Sequence, residues 1–375
     1  MLRMIRERLV RDRTALFESS ARALFRPAGT GRTCRGQIAL PDDLRPHSDA
    51  QTEWWFYTAH CAAQGGSRFG FELVFFRRRT DHDRIGPLPL KYFANPMYAA
   101  HFAFTDIDAK RFMYSDRRGS DGLLGYRSAA SDSEFDIRVG DWSARGDATC
   151  HRLRASIGMD LEIDARLESA KPVVLNGHRN AAGSSRHFSF TRMLTSGIIR
   201  RGTGSERFEG TAWMDREYGT WFQRHWDWFS IQLDNGCELM LYVFRDGFGR
   251  PLDTSHGNFI DRDGRCQSLS FGAFRITAKR SWTSSRTGTE YPSGWKVSVP
   301  SLEIELDLEP VVQDQELNTA RSTMVVYWEG ACAVTGSVHG RRCAGNSYVE
   351  LVGYDDVSEG LTPMNFLRGL WPRRK

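Results

Sequence analysis

The sequence lacks the features that mark membrane-spanning, disulfide-bonded or zinc-binding proteins. Mean hydropathy is −0.48, and no uncharged apolar run approaches the ~18 residues that a membrane-spanning helix needs. The seven cysteines are odd in number and widely spaced, with no C-x-x-C pair. The N-terminus has no apolar core of a secretory signal. Reduced thiols in the cytoplasm are therefore favoured over a disulfide framework or a zinc site.

Common catalytic and nucleotide-binding motifs are also missing. There is no H-E-x-x-H, no Walker loop, no glycine-rich dinucleotide turn and no G-x-S-x-G. The ten histidines show no metal-ligand spacing. We therefore expect neither a metal nor an organic cofactor.

Charge is distributed unevenly along the chain. The net charge is +5, yet residues 1–36 carry nine arginines against three acidic residues, so the remainder is almost neutral. A nucleic-acid-binding protein more often carries a basic stripe on its folded body. We therefore do not expect nucleic acid as a partner.

The N-terminal arm of residues 1–36 is predicted to begin with an amphipathic helix. Apolar residues recur at three- and four-residue spacing over residues 1–26, with arginines between them. Such a helix can lie on an anionic membrane surface, which would make the protein membrane-associated. The alternative is a helix docked on its own domain, or a frayed arm. Residues 357–375 form a basic C-terminal tail.

Beyond the arm, the dominant period is two, which predicts a mainly antiparallel β fold of barrels or sandwiches. Apolar and polar residues alternate over 155–167, which predicts one long strand with a wet face. Asn235-Gly236, between two strong strands, predicts a hairpin. Residues 195–207 resemble a linker and divide the body into an N-terminal domain, 37–200, and a C-terminal domain, 201–356.

Three aromatic segments carry carboxylates, at 53–57, 213–219 and 226–229. Strand alternation places Asp215 and Glu217 on one face with Trp213, and turns Asp227 away from Trp226 and Trp228. An acid on an aromatic face is either paired with a base or has a raised pKa. Arg77 and Arg245 are candidate bases, and buried ion pairs that fix strand register are the structural alternative.

An aromatic cavity with few polar groups suits a large lipophilic ligand. A protonated acid inside such a cavity could add a proton to an alkene. Raising a carboxyl pKa by ~3 units requires roughly 4 kcal/mol, which desolvation can supply.

These aromatic segments are similar to those of the lipocalin-like AttH proteins and carotenoid 1,2-hydratases (hydroxyneurosporene synthases). The resemblance runs from about residue 41 to 354 and includes the following stretches: P-H-S-D-A-Q-T-E-W-W-F-Y-T-A-H (46–60), F-G-F-E-L-V-F-F-R (69–77), Y-A-A-H-F-A-F-T-D (98–106), K-P-V-V-L-N-G (171–177), G-T-A-W-M-D-R-E-Y-G (210–219), W-D-W-F-S (226–230), Y-W-E-G-A (327–331) and S-Y-V-E-L-V-G-Y (347–354). It implies two tandem lipocalin-like antiparallel β-barrel domains.

The resemblance also implies a chemistry. The hydratases protonate an isolated isoprenoid double bond and add water without metal or organic cofactor, and related lipocalin-like proteins act as pericyclases. Asp215 matches the aspartate that the hydratases use. Their segment reads Tyr-x-Asp-His-Asn, so Arg216 and Glu217 replace the histidine and asparagine here.

Together, the residues and the resemblance predict an acid–base enzyme for a lipophilic isoprenoid or polyene, with hydration of a carbon–carbon double bond as the favoured reaction. Asp215 is the predicted general acid, and Glu217 the second carboxyl that positions water. A pericyclase or isomerase, and a non-catalytic lipophilic-ligand carrier, remain alternatives. The predicted substrate-binding residues are Glu53, Trp54, Trp55, His101, Trp213, Tyr218, Trp226, Asp227, Trp228 and Tyr242. For His101, a satisfied core histidine is the alternative to a proton relay.

Overall fold

A computed structural model describes residues 38–85, 88–120, 125–177, 185–220 and 225–355. Within these residues the chain is built from β-strands and contains no α-helix, which confirms the all-β prediction. The helical segments there are three-residue 3₁₀ turns, and none could cross a membrane. The predicted amphipathic helix of 1–26, the whole arm 1–36 and the tail 357–375 lie outside the described residues.

The first part of the chain forms a twelve-stranded sheet and a two-stranded ribbon, β3–β4. In chain order the strands are β1 (Thr52–Ala63), β2 (Arg68–Arg78), β3 (Arg84–Ile85), β4 (Leu88–Pro89), β5 (Met97–Asp106), β6 (Arg111–Ser120), β7 (Tyr126–Ala130), β8 (Phe135–Val139), β9 (Trp142–Gly146), β10 (Cys150–Ile157), β11 (Leu161–Ser169), β12 (Val174–Leu175), β13 (Ser185–Arg201) and β14 (Gly204–Gly219). The 3₁₀ turns here span Asp42–Leu44 and Leu90–Tyr92.

The second part forms a ten-stranded sheet. Its strands are β15 (Trp226–Leu233), β16 (Glu238–Phe244), β17 (His256–Ile260), β18 (Cys266–Ser270), β19 (Arg275–Thr283), β20 (Glu290–Val299), β21 (Ile304–Pro310), β22 (Glu316–Asn318), β23 (Val326–Val338) and β24 (Arg341–Val352). The 3₁₀ turns here span Phe271–Ala273 and Pro300–Leu302.

The two sheets differ in closure. The first has the order β11-β10-β9-β8-β7-β6-β5-β2-β1-β14-β13-β12, and β11 also pairs with β13, which closes the sheet on itself. The second has the order β18-β17-β16-β15-β24-β23-β21-β20-β19, with β22 as a tenth strand paired to β23, and it is open at its two ends within the described residues. The fold is therefore a barrel followed by a half-barrel, each almost wholly antiparallel.

The change from one sheet to the other falls between Gly219 and Trp226, rather than at the predicted position 200/201. Residues 195–207, which resemble a linker, are instead the end of the β13–β14 hairpin, with Arg201 paired to Gly204. Their glycines and polar residues lie in the turn of this hairpin and in the solvent-exposed ends of its two strands.

The prediction of one long strand over 155–167 is wrong. The chain turns at Gly158, whose φ is +61°, so that β10 and β11 pair with Ile157 opposite Leu161. A three-residue turn between directly paired positions leaves odd-numbered residues on the core face of both strands. The alternation therefore passes through the turn unbroken, and only the fully exposed Met159 departs from it. The Asn235-Gly236 hairpin is confirmed between β15 and β16.

Strands at the centre of the first sheet are covered on both faces. On β1, Trp55 and Tyr57 enter the barrel core, whereas Phe56 packs between the two sheets with Trp213 and Trp228. The second sheet has its own core beneath its opposite face. This inter-sheet layer, rather than the interior of either unit, contains a cleft.

Candidate active site

A cleft of about 500 Å³, counting the part open to solvent, lies between the two sheets. The first sheet contributes side chains from β1, β2, β13 and β14, and the second from β15, β16, β23 and β24. The lining residues are Trp54, Phe56, Glu72, Val74, Phe76, His187, Asp215, Glu217, Trp226, Trp228, Tyr242, Tyr327 and Glu350. The walls are thus aromatic, with one histidine and four carboxyl groups.

The rings of the cleft pack edge to face. The ring centroids of Trp228 and Phe56 are 5.2 Å apart, and those of His187 and Tyr242 are 5.9 Å apart. Such contacts hold large rings in fixed positions. The cleft therefore offers a rigid apolar wall to a ligand.

His187 lies between two acidic side chains. Its Nε2 is 2.9 Å from Oδ2 of Asp215, and its Nδ1 is 3.9 Å from Oε2 of Glu217. The strands bring them together because His187 pairs with Glu217 across β13 and β14, and Asp215 is two residues away on the same face. Burial alone lowers the pKa of His187, but the charges of Asp215 and Glu217 outweigh it and raise that pKa above 6.5.

Asp215 is held by further donors from the same face. Its Oδ1 accepts hydrogen bonds from Trp213 Nε1, at 2.7 Å, and from the Ser189 hydroxyl. Asn176 Nδ2 donates to Ser189 Oγ at 2.7 Å, and Asn258 Nδ2 donates to Asn176 Oδ1 at 2.8 Å. This network fixes the Asp215 carboxyl in an orientation toward His187.

Two carboxyl groups of the cleft have pKa values near neutral pH. Burial raises the pKa of Glu217 to about 7, against the opposing effects of His187 and a hydrogen bond with Ser185. Burial likewise raises the pKa of Glu350 to about 7, although Trp226 Nε1 donates a hydrogen bond to it at 2.7 Å. Each therefore exists in both the acid and the carboxylate form near pH 7.

Glu350 also interacts with two other acids, Glu72, which lines the cleft, and Glu329, which is buried and does not line it. Burial and the charge of Glu350 raise the pKa values of Glu72 and Glu329 well above 4.5. Neither oxygen of Glu329 has a hydrogen-bond partner within the described part of the chain. A buried, unpartnered carboxyl group is stable only as the neutral acid.

Replacing Glu329 by glutamine is expected to stabilise the protein at alkaline pH. Because the folded-state pKa of Glu329 is raised, the stability of the wild type falls as pH rises above 4.5, whereas glutamine does not titrate. We expect a gain of about 3 °C or more in Tm at about pH 9 and a smaller gain at about pH 5. Thermal unfolding at both pH values checks this.

The exposed Glu305 on β21 provides the matched control, since Glu305→Gln makes the same chemical change in solvent. Its effect on Tm should be small at both pH values. A Glu329→Gln variant that gains no more at alkaline than at acid pH would contradict the neutral-acid assignment.

Half of the predicted site residues line the cleft. The catalytic candidates Asp215 and Glu217 do so, and their roles remain predictions. Of the predicted binding residues, the cleft contains the following: Trp54, Trp226, Trp228 and Tyr242. Trp213 is not a lining residue but contacts Asp215 through its indole nitrogen.

Glu53 and Asp227 lie outside the cleft in ion pairs. Glu53 pairs with Arg216 and, at 2.6 Å, with Arg77, one of the two candidate bases. Asp227 lies 3.1 Å from Arg245, the other candidate base. Both carboxyls are therefore in ion pairs with arginines, which is the structural alternative to a ligand-binding role.

The remaining three predicted binding residues do not line the cleft. Trp55 packs in the barrel core. The Tyr218 ring stacks on His47 at 3.6 Å. His101 is buried, and its Nδ1 is 2.8 Å from the Tyr327 hydroxyl. The ligand-binding role of these residues is not supported by their positions.

Four polar groups of the cleft were missing from the prediction: His187, Glu72, Glu350 and Tyr327. Three of them were visible in the quoted motifs, where Glu72, Glu350 and Tyr327 stand within apolar strands. The available signal was face alternation, because Glu72 lies opposite the barrel-core face of Phe71 and Leu73. Within the described residues, no group of three His, Cys, Asp or Glu side chains could hold a metal ion.

The sequence and fold can be compared with known proteins. An AttH-like family model matches residues 32–354. A search of curated protein sequences found no match. Among solved structures, a protein of Nitrosomonas europaea assigned as AttH is 27% identical with a TM-score of 0.74, covering 87% of this chain and 100% of that chain.

Two more distant structures share the fold. Kievitone hydratase from Nectria haematococca is 15% identical with a TM-score of 0.64, covering 88% of this chain and 98% of that chain. CghA is 14% identical with a TM-score of 0.51, covering 89% of this chain and 97% of that chain. The resemblance seen in the sequence is confirmed, and the chain belongs to the AttH-like family.

Proposed function

We propose that this protein is a cofactor-independent acid–base enzyme that hydrates a carbon–carbon double bond of a lipophilic isoprenoid or polyene in the inter-sheet cleft. The observation that carries the proposal is the His187–Asp215 contact of 2.9 Å beside Glu217, a carboxyl whose pKa is raised to about 7, on an aromatic wall. Kievitone hydratase, a hydratase by name, shares the fold.

The proton donor must be a neutral acid, because a carboxylate cannot protonate an alkene. Glu217, rather than the Asp215 predicted from the sequence, is the proposed donor, because a pKa of about 7 leaves part of the Glu217 population neutral at neutral pH. General acids work best when their pKa lies near the operating pH. Glu350, with the same pKa, is the second donor that the cleft provides.

The proposed reaction balances within the His187–Glu217 pair. Glu217 transfers its proton to one alkene carbon, and the other carbon becomes a carbocation. Water forms a C–O bond to that carbon and gives a proton to His187, and Asp215 stabilises the resulting imidazolium. The proton then returns to Glu217, whose Oε2 lies 3.9 Å from His187 Nδ1, when the two side chains approach to hydrogen-bond distance, and this restores both groups.

The aromatic wall has two roles in this mechanism. The π faces of Trp228 and Tyr242 are attractive to a cation, and both rings line the cleft. The same rings limit the entry of bulk water, which strengthens electrostatic interactions inside.

The test is product analysis with purified full-length protein. The protein is incubated with linear carotenes and shorter isoprenoids in water labelled with heavy oxygen, and products are examined by mass spectrometry. The expected product is the substrate plus one labelled water. A product of unchanged mass would overturn hydration in favour of an isomerase or pericyclase. Tight binding without any product would favour a carrier.

The pH dependence of this reaction follows from Glu217. Its neutral form, which donates the proton, is lost as pH rises through about 7. We therefore expect kcat/KM to fall by about tenfold for each pH unit above that value. A rate that stays constant up to about pH 9 would exclude both Glu217 and Glu350 as the donor.

A further inference from the structure

A continuous series of buried hydrogen bonds leaves the cleft on the side of Glu72. The Tyr327 hydroxyl donates to Glu72 Oε1 at 3.1 Å. His101 Nδ1 lies 2.8 Å from that hydroxyl, and His101 Nε2 lies 3.1 Å from Ser322 Oγ. The proposed reaction does not use this path, although it begins at a cleft-lining acid.

The two ends of the path lie in different environments. Glu72 and Tyr327 line the cleft, whereas Ser322 and Thr323 belong to the segment between β22 and β23. Thr323 Oγ1 lies 3.4 Å from His101 Nε2 and is only partly buried. The path therefore runs from the cleft to a segment that reaches the surface.

We propose that Glu72, Tyr327, His101 and the Ser322–Thr323 hydroxyls form a proton relay between the cleft and solvent. A proton from water joins a hydroxyl of Ser322 or Thr323, which passes a proton to His101 Nε2. His101 Nδ1–H then donates its proton to the Tyr327 oxygen, and the Tyr327 O–H gives its proton to ionised Glu72. Each intermediate group ends neutral, and Glu72 gains one proton.

The protonation states of the groups fit such a relay. Burial lowers the pKa of His101 to about 3, so the imidazole is neutral and has one donor and one acceptor nitrogen. Burial and the charge of Glu72 raise the pKa of Tyr327, so the phenol keeps its proton. A relay of neutral groups requires no charge to rest in the low-dielectric interior.

The relay complements the proposed function, on which its catalytic purpose rests. Hydration through Glu217 needs no outside proton, because His187 returns the proton to it. The relay instead serves Glu350, the second donor of the cleft, which must recover a lost proton before the next turnover. Glu72 and Glu350 influence each other electrostatically, so a proton supplied to Glu72 stays within the acidic group of the cleft. Tyr327 and His101 are thus assigned as positioning residues rather than catalytic ones.

The relay can be tested without substrate, by infrared spectroscopy of the full chain after transfer into D₂O. The carbonyl stretch of neutral Glu72 is identified as the band that Glu72→Gln removes. Its shift with time reports exchange of the carboxyl proton for deuterium. We expect Tyr327→Phe to slow this exchange by about tenfold or more, equivalent to ~1.4 kcal/mol in the barrier.

Tyr348→Phe is the matched control. Tyr348 is buried near the same acids, but its hydroxyl has no hydrogen-bond partner within the described ranges, so its loss should leave the exchange rate unchanged. His101→Gln provides a second break in the relay if Tyr327→Phe fails to fold. Equal exchange in the wild type and in both relay variants would overturn the proposal, as would the absence of any band removed by Glu72→Gln.

The outcome is independent of whether the protein hydrates alkenes. A protein that exchanges rapidly but forms no product would retain the relay and lose the proposed reaction. The opposite result would retain the reaction and lose the relay.

Discussion

Replacing Asp215 by asparagine is expected to lower kcat/KM by about 10²- to 10⁴-fold, the range typical for loss of acid–base assistance. Asparagine has nearly the same volume and can still accept hydrogen bonds from Trp213 and Ser189. It lacks the negative charge 2.9 Å from His187 that stabilises an imidazolium. The rate is measured with the substrate found by product analysis, and thermal unfolding checks that the variant folds.

Asp227→Asn is the control for this experiment. It makes the same chemical change in another buried acid, one that contacts Arg245 and Tyr354 outside the cleft. Its kcat/KM should stay within about twofold of the wild type, as expected for a residue without contact to the reacting atoms. Full activity in Asp215→Asn, or an equal loss in both variants, would contradict the role given to Asp215.

The fold could be predicted from the sequence because strand periodicity is a local property. Alternation identified the β class, and Asn235-Gly236 identified one hairpin. The same signal failed at Gly158, since the turn there preserves the parity of the core residues. It failed again at 195–207, where a polar, glycine-containing hairpin end has the composition of a linker.

The candidate site could be predicted only in part because its position depends on which strand faces are covered by the other sheet. Alternation correctly grouped Asp215 with Glu217 and separated Asp227 from Trp228. It did not show that Glu53 faces the barrel core. A strand that is buried on both sides has apolar residues on both faces, so these residues do not show which face lines the cleft.

His187 illustrates a second limit of sequence reasoning. It is one histidine in a strand 28 residues from Asp215, and no motif connects the two. Their contact follows from the register of β13 against β14, which pairs Ser189 with Asp215 and His187 with Glu217. Register depends on long-range pairing and turn geometry, which periodicity does not specify.

The largest effect on stability is expected at Glu53, and Glu53→Gln should lower the free energy of unfolding by about 3–5 kcal/mol. The carboxylate of Glu53 is fully buried and holds Arg216, which is also fully buried, and Arg77. Its removal leaves the Arg216 guanidinium without an acidic partner at that position. Urea unfolding at neutral pH measures the change.

A double variant separates the ion pair from general packing damage. Glu53→Gln combined with Arg216→Met removes both buried charges, so it should recover part of the stability that Glu53→Gln alone loses. If the double variant loses as much stability as Glu53→Gln and Arg216→Met lose together when measured singly, the ion pair is not the cause.

The pH dependence of folding stability provides an independent check that the Glu53 carboxylate stabilises the folded protein. Although burial opposes ionisation, the charges of Arg216 and Arg77 and the hydrogen bond with His47 lower the pKa of Glu53 below 4.5. A depressed folded-state pKa contributes stability above pH 4.5 that is lost as pH falls through the folded-state value. The difference between wild type and Glu53→Gln should therefore shrink in acid. Because Glu53 lies outside the cleft, the folded fraction of the variant should bind and convert substrate normally, whereas a specific loss of binding would restore Glu53 as a ligand-binding residue.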